Sequence, residues 1–317
     1  MSALGKRALH LFLVVFASSA VTFLMVDLLP GDAAYHIAGD TATLEDVQAI
    51  REELGLNRSL VLRYVNWLAD VARGDLGVSY LTREPVREAI LARLPVTIEL
   101  MIAAQLIALV LSVPAGIYCG YRPRSGIDRF LGSTSFAVMS VPVFVMALVL
   151  IYLFALKLRW LPATGYVPLS ADPVANIRSM LLPALSIALV EWVPLMRVLR
   201  SDMIDTLRED YILMARSKGL PTHTVLFRHA LRPSLFTLVT LFGIQVGHLI
   251  GGALIVETIF ALPGIGRLLI GAIFSRDIIV VQGCILFIAV AYVAVNFLVD
   301  ISYTFLDPRL RRGRADG

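Results

Sequence analysis

The chain has 317 residues, of which 58% are hydrophobic and 16% charged, with a mean hydropathy of +0.79 and a formal net charge of +4. So apolar a composition excludes a water-soluble domain folded round one core and places the chain in a bilayer. Its two cysteines, Cys119 and Cys284, lie in apolar runs without CxxC or Cys/His ligand spacing, which excludes a disulfide scaffold and a zinc site.

The first predicted element, Ala8 to Leu29, follows Lys6 and Arg7 as a signal peptide would. Its apolar run is longer than a usual signal core and five more spans follow, so it is read as a retained helix. A water-exposed segment comes next, over 30–95. Thr43 is placed to cap LEDVQAIREEL, with Gly55 as its stop, and LVLRYVNWLADVA sets Leu60, Tyr64, Trp67, Leu68 and Val71 on one stripe. Pro85 suits the first turn of a third helix, PVREAILARL. This segment either only caps the outer mouth of a bundle or also receives a partner. Five further apolar runs then appear at Thr97 to Cys119, Leu131 to Leu156, Met180 to Leu199, Ser234 to Phe260 and Val281 to Phe305. Each can cross a hydrocarbon core of about 30 Å as a helix of about 20 residues.

The expected fold is therefore an all-α polytopic membrane protein of six transmembrane helices, with a helical extracytoplasmic loop after the first span and a helical cytoplasmic loop between spans four and five. Its parts are an N-terminal transmembrane helix (1–29), the extracytoplasmic loop (30–95), a transmembrane domain (96–306) and a cytoplasmic tail (307–317).

Orientation follows from the basic residues. The N-terminus, the loop YRPRSGIDR, the stretch from Arg197 to Arg232 and the tail together hold sixteen Lys and Arg against seven acids. The remaining loops hold twelve of each. The short basic loops face the cytoplasm, so both termini are expected there. The same bias accounts for the pI of 9.2 without nucleic acid.

The loop between spans four and five, REDYILMARSKGLPTHTVLFRHALRP, is long for a bundle connection and is expected to have structure of its own. Its first half places Leu207, Tyr211, Met214 and Ala215 at helical spacing. Gly219 is expected to end that helix in the left-handed conformation and Pro221 to prevent its resumption. A second short helix, THTVLFRHAL, is expected to stop before Pro233 opens the fifth span. From periodicity alone, this hairpin fits an amphipathic helix lying on lipid headgroups as well as a surface for a partner.

The pattern ARSKGL followed by LFRHALRP resembles the cytoplasmic EAA loop of ABC-importer permeases, where an alanine, a glycine four residues later and a Leu-Pro about twelve residues after that recur. Here those positions are Ala215, Gly219 and Leu231, with Arg232 in place of the proline and Pro233 one residue late. LLPGDAA, RLPVTIEL, VPVFVMALVLIYLFA, LPATGY, LLPALSIAL, VETIFALPGIGRLL and FLDPRLR are similar, in order and spacing, to permease subunits of dipeptide/oligopeptide/nickel-type ABC importers.

That resemblance implies a multi-pass permease of the bacterial inner membrane, surrounded by membrane lipids. Its implied partners are a second, homologous permease, two cytoplasmic ATP-binding subunits and an extracytoplasmic substrate-binding protein. The loop would be a coupling helix in a groove of the ATPase, with Tyr211, Met214, Ala215 and Leu220 as apolar anchors and Arg216 and Lys218 as polar contacts. A β-branched residue at Gly219 would strain the bend by roughly 1 to 2 kcal/mol. Peptides are the cargo implied, with nickel, glutathione or glycosides as alternatives.

No catalytic, metal or cofactor residues are expected in this chain. The only Gly-Lys pair, Gly5-Lys6, lacks the rest of a phosphate-cradling loop, so ATP and Mg would be bound by the partner ATPases. Three polar residues inside spans are candidates for the translocation path. Glu191, near the middle of span four, would cost about 2.5 to 3.5 kcal/mol facing lipid, so it should face a cavity or serve as interhelical glue. Gln245 and His248 accompany Gly243, Gly247 and Gly251, a stripe that permits close helix approach. Asp27, Glu99, Glu257 and Asp300 are placed near span ends, within reach of water. Pro114, Pro142 and Pro194 lie inside spans, each able to kink its helix. A proton-driven secondary transporter using Glu191 or His248 is the rival reading; it leaves the basic loop unexplained.

Overall fold

The computed structural model describes residues 13–24, 43–53 and 57–306, with the side chains at 46, 49, 50, 53, 250–252 and 300–306 left aside. The expectations for Lys6 and Arg7, for Asp27, for the stop at Gly55, for the surroundings of Gly251 and Asp300, and for the tail from Asp307 fall outside what is described. Among the described residues the regular secondary structure is helical, and the one β-type pairing is an isolated bridge between Val78 and Pro85. Backbone contacts divide the chain into two units, Met1–Thr97 with Pro263–Val293, and Ile98–Leu262 with Ala294–Gly317.

The first unit contains α1 (Leu13–Leu24), α2 (Leu44–Glu53) and α3 (Leu60–Ala72). Val47 N–H donates to the Thr43 carbonyl at the head of α2. On α3 the stripe Leu60, Tyr64, Trp67, Leu68 and Val71 is half-buried while the opposite face is exposed, as its 3.6-residue period requires. Tyr64 sits at the middle of an aromatic cluster: its ring packs on Phe23 and Trp67, and its hydroxyl lies 2.8 Å from Ser19 Oγ.

Two departures from the sequence expectations occur here. The third outer helix and the second span are not separate: α4 runs unbroken over Val86–Tyr121, through Pro95 and Pro114. A proline removes one donor and bends a helix without ending it when the remaining ladder is shielded from water. The segment 261–280, between the fifth and sixth expected spans and given no helix from the sequence, contains α10 (Ile265–Phe274), whose Ile265, Leu269 and Ala272 are buried. The Ile265 N–H donates to Thr97 Oγ1 at 3.0 Å, and the Ser79 hydroxyl donates to the buried Asp277 carboxylate. The last helix, α11, spans Ile278–Leu306.

In the second unit the single helix expected over Leu131 to Leu156 is broken. It forms α5 (Gly126–Met139) and α6 (Val143–Leu150), which continues as a wider π turn over Ile151–Lys157, and the two arms are bent by 104°. Pro142 stands at the break with φ −59° and ψ 146°. Its missing N–H and the extended bias it imposes on Val141 start a new helix there instead of a kink in an old one.

Helix α7 (Pro173–Thr206) is the innermost of the unit: 67% of its apolar window is buried, against 28% for α11. Pro194 is carried inside it. Asp172 caps its start, accepting from the N–H groups of Val174 and Ala175. Helix α4 approaches α7 closely at Gly120, where an added Cβ would collide with Met203. Among the described residues four helices, α4, α7, the helix from Thr222 and α11, are long and apolar enough to cross a membrane, or five if the bent pair counts as one. Both cysteines are fully buried.

Candidate functional site

The hairpin after α7 is built from three signals in the sequence. α7 ends at Thr206, and Glu209, in extended conformation, starts α8 (Asp210–Ser217). The helix turns off at Gly219, whose φ is +74°, and Pro221 resumes the chain with ψ 147°. Only glycine takes that φ without steric cost, and no heavy atom lies within 4 Å of where a Cβ would sit. The strain of any other residue would therefore be conformational alone.

The second arm does not stop before Pro233, contrary to the sequence expectation. A helical turn over Thr222–Thr224 leads into a π turn over Val225–Ala230 and then directly into α9 (Leu231–Ile259). Pro233 would remove the bond to the His229 carbonyl and crowd it. The wider π turn over Val225–Ala230 includes that carbonyl.

α8 has two faces. Ile212 is completely buried and Ala215 nearly so, and Ile212 joins Met203, Leu207, Val225 and Ala230 in the apolar cluster that runs up α7 and α9. The other face is open: Tyr211, Leu213 and Met214 are 45%, 51% and 60% exposed, and Leu220 is 37% exposed beyond the bend. Arg216, Lys218 and Gly219 are also exposed, and Leu231 is half-buried. Of the eight hairpin residues expected to take part in coupling, Ala215 thus faces this chain's own core and Leu231 is partly covered. The remaining six are exposed. The hairpin is not a floppy loop, because the bundle core extends into it.

The residues expected in the translocation path are only partly brought together. Gln245 is buried and its Nε2 donates to the Glu191 carbonyl at 3.0 Å, tying α9 to α7. Glu191 is half-buried and His248 exposed. Gly243 packs against Val299, as the glycine stripe requires. Two residues escaped the sequence reading: Gln105 on α4 and Trp192 on α7. Both amide atoms of Gln105, Nε1 of Trp192 and Oε1 of Gln245 are buried and have no hydrogen-bond partner among the described residues. Gln105 is the lone amide in the apolar run from Thr97 to Cys119, and that isolation was its only signal.

The acids also differ from expectation. Glu257, placed near water by its position in the sequence, is fully buried. Glu99 is half-buried and accepts from the Tyr166 hydroxyl at 2.8 Å and from Asn176 Nδ2 at 2.6 Å. Burial, and then the Glu99 carboxylate, push the Tyr166 phenol up to about 12. Among the described residues no three His, Cys, Asp or Glu side chains converge as metal ligands would.

Two family models match the chain. One, described as a binding-protein-dependent transport system inner membrane component, covers residues 112–312 and therefore includes the hairpin. The other, the N-terminal part of such a membrane component, covers residues 1–101. The chain belongs to the binding-protein-dependent transport permeases. This permease is 43% identical over 306 residues to a Brucella abortus protein named as a peptide transport system permease, across 96% of this chain and 98% of the relative. It is 36% identical over 335 residues to a di/tripeptide transport system permease protein of Pseudomonas aeruginosa, across 99% and 100% of the two chains. To an oligopeptide transport system permease protein of Bacillus subtilis it is 34% identical over 308 residues, across 96% and 98%. The permease is an all-helical, multi-pass inner membrane component of an ABC importer.

Proposed function

We propose that this permease moves peptides, released by an extracytoplasmic binding protein, through a channel it forms with a second, similar permease, and that two cytoplasmic ATPase subunits drive the cycle through the hairpin at Gly219. In this reading six helices cross the membrane, the bent α5–α6 pair counting as one, and both termini are cytoplasmic. The single observation that carries the coupling role is the two-faced α8. Ile212 and Ala215 anchor it into the core, while Tyr211, Met214 and Leu220 are left open for a groove in a partner.

A lever must be stiff along its length and exposed at its tip. The apolar cluster running from Met196 and Leu199 through Met203 and Leu207 to Ile212 and Val225 supplies the stiffness, so a displacement of the hairpin is passed to α7 and α9 together. The positive φ of Gly219 fixes the angle at which the tip is presented. ATP and Mg are bound by the ATPase subunits, whose closure favours one orientation of the hairpin over the other; that differential contact shifts the bundle between its two openings. Peptide cargo is supported by the names of relatives at 34 to 43% identity over nearly the full length.

The test is uptake of a radiolabelled dipeptide by the reconstituted importer carrying Gly219→Val. ATP hydrolysis is expected to persist while uptake falls by about tenfold or more. Uptake at the wild-type level, with normal protein abundance, would remove the coupling role.

A further inference from the structure

A cleft of about 730 Å³ opens between the end of the π turn after α6 and the first turns of α7. It is lined by Arg159, Trp160, Tyr166, Asp172 and Arg178 among apolar neighbours. We propose that this cleft holds the phosphodiester headgroup of an anionic phospholipid, gripped by Arg159 and Arg178. The inference rests on the chain being a membrane permease, but not on its cargo or on its coupling to ATPases.

Four observations converge on a membrane-derived anion. First, the local charge runs against the orientation of the rest of the chain. Residues 157–179 carry Lys157, Arg159 and Arg178 against the single acid Asp172, on a loop the positive-inside bias would keep poor in cations.

Second, the one acid is already committed. Asp172 Oδ1 accepts from Val174 N–H at 2.9 Å and Ala175 N–H at 3.0 Å, as the cap of α7, and among the described residues no ion pair joins it to either arginine. Arg178 spends one nitrogen on the Trp160 carbonyl, at 3.0 Å. No hydrogen bond or ion pair among the described residues engages Arg159.

Third, Arg159 has φ +56°, in the left-handed region that a long side chain rarely occupies. A strained backbone that presents an unengaged cation is a reason to look for its ligand.

Fourth, the surroundings suit a lipid rather than a soluble anion. Trp160 is 60% exposed and leans on Phe154, an amphipathic ring at the end of an apolar helix, where tryptophans mark the headgroup level. Leu148, Tyr152 and Leu156, four residues apart along the same helical stretch, are all exposed and offer an apolar line for an acyl chain.

The experiment is native mass spectrometry of the detergent-solubilised full chain, titrated with dioleoylphosphatidylglycerol or with dioleoylphosphatidylcholine. The wild type is expected to retain phosphatidylglycerol adducts in preference to phosphatidylcholine. Arg159→Gln and Arg178→Gln should each weaken retention roughly fivefold, the usual worth of one cation at a membrane surface. Arg159→Lys should restore it in part, and Arg73→Gln, a basic residue outside the cleft, should change nothing. Equal retention of the two lipids, or equal retention by both arginine variants and the wild type, would overturn the proposal. Two competitors distinguish other sources: if millimolar inorganic phosphate or trialanine displaces the bound lipid from the wild type, the cleft is a site for free anions or peptide carboxylates and the lipid assignment is wrong. Because neither nucleotide nor uptake is read, a negative result here leaves the coupling role standing, and the reverse holds as well.

Discussion

Arg200 holds Asp128 with two parallel hydrogen bonds, Nε to Oδ1 at 2.6 Å and the terminal nitrogen to Oδ2 at 2.8 Å. Asp128 also accepts from the Arg124 N–H, and its own N–H is capped by Ser125. The pair therefore fastens the short loop between α4 and α5 to the last turns of α7, two turns before the hairpin begins. Paired carboxylate and guanidinium in fork geometry are stronger than neutral bonds, and the carboxylate here is nearly fully buried.

Asp128→Asn should destabilise the permease by about 2 kcal/mol, the usual worth of hydrogen bonds to a charged group. Cys119 and Cys284 are fully buried, so unfolding can be followed by a thiol-reactive dye in detergent. The variant is expected to label at a lower temperature than the wild type. An unchanged midpoint would show that the clamp contributes nothing to stability.

The two faces of α8 should separate in a pair of variants. Ile212→Ala removes a fully buried side chain and is expected to cost about 2 to 5 kcal/mol in the same unfolding assay. Met214→Asp, on the exposed face, should leave the midpoint within error while sharply reducing the ATPase that co-purifies with the permease. If Met214→Asp retains the ATPase in full, the exposed patch is not the docking surface.

At Gly219 the penalty should depend on φ and not on bulk, because no atom stands near the missing side chain. Asn, which tolerates the left-handed region, is expected to keep most of the uptake that Val abolishes. Equal loss in Gly219→Asn and Gly219→Val would show that the position is sensitive to any side chain, and the conformational argument would fail.

The Glu99–Tyr166 bond makes a pH prediction. The folded phenol is raised to about 12 from an ordinary value of 10, so the folded state keeps a proton that the unfolded chain releases. Stability from this group is intact at neutral pH and is lost as the pH rises from about 10 towards 12. Tyr166→Phe should lower the unfolding midpoint at pH 8 and flatten its alkaline decline. A variant with the same alkaline slope as the wild type would remove Tyr166 from the account.

Much of this was legible in the sequence where a local signal sufficed. The half-buried stripe of α3 follows from the spacing of Leu60, Tyr64, Trp67, Leu68 and Val71, and the bend at Gly219 from a glycine ahead of Pro221. Hydropathy is blind to direction, however. Averaged over Leu131 to Leu156 it is continuous, and cannot show that the chain turns by 104° at Pro142. Prolines were legible as irregularities but not as outcomes: Pro142 stands at the start of a new helix, Pro114 and Pro194 are carried inside helices, and Pro233 follows a π turn. Burial of polar groups depends on neighbours far along the chain. The buried carboxyl of Glu257, the inward turn of Ala215 and the buried amide of Gln105 therefore had no strong local signature.

The central claim is that the exposed tip of this hairpin meets a separate ATPase. A photo-crosslinking amino acid placed at Met214 of the importer in its native membrane tests it most directly. The account predicts a crosslink to the ATP-binding subunit whose yield changes when ATP is trapped in the closed state. Crosslinking only to lipid, in membranes where uptake proceeds normally, would contradict it.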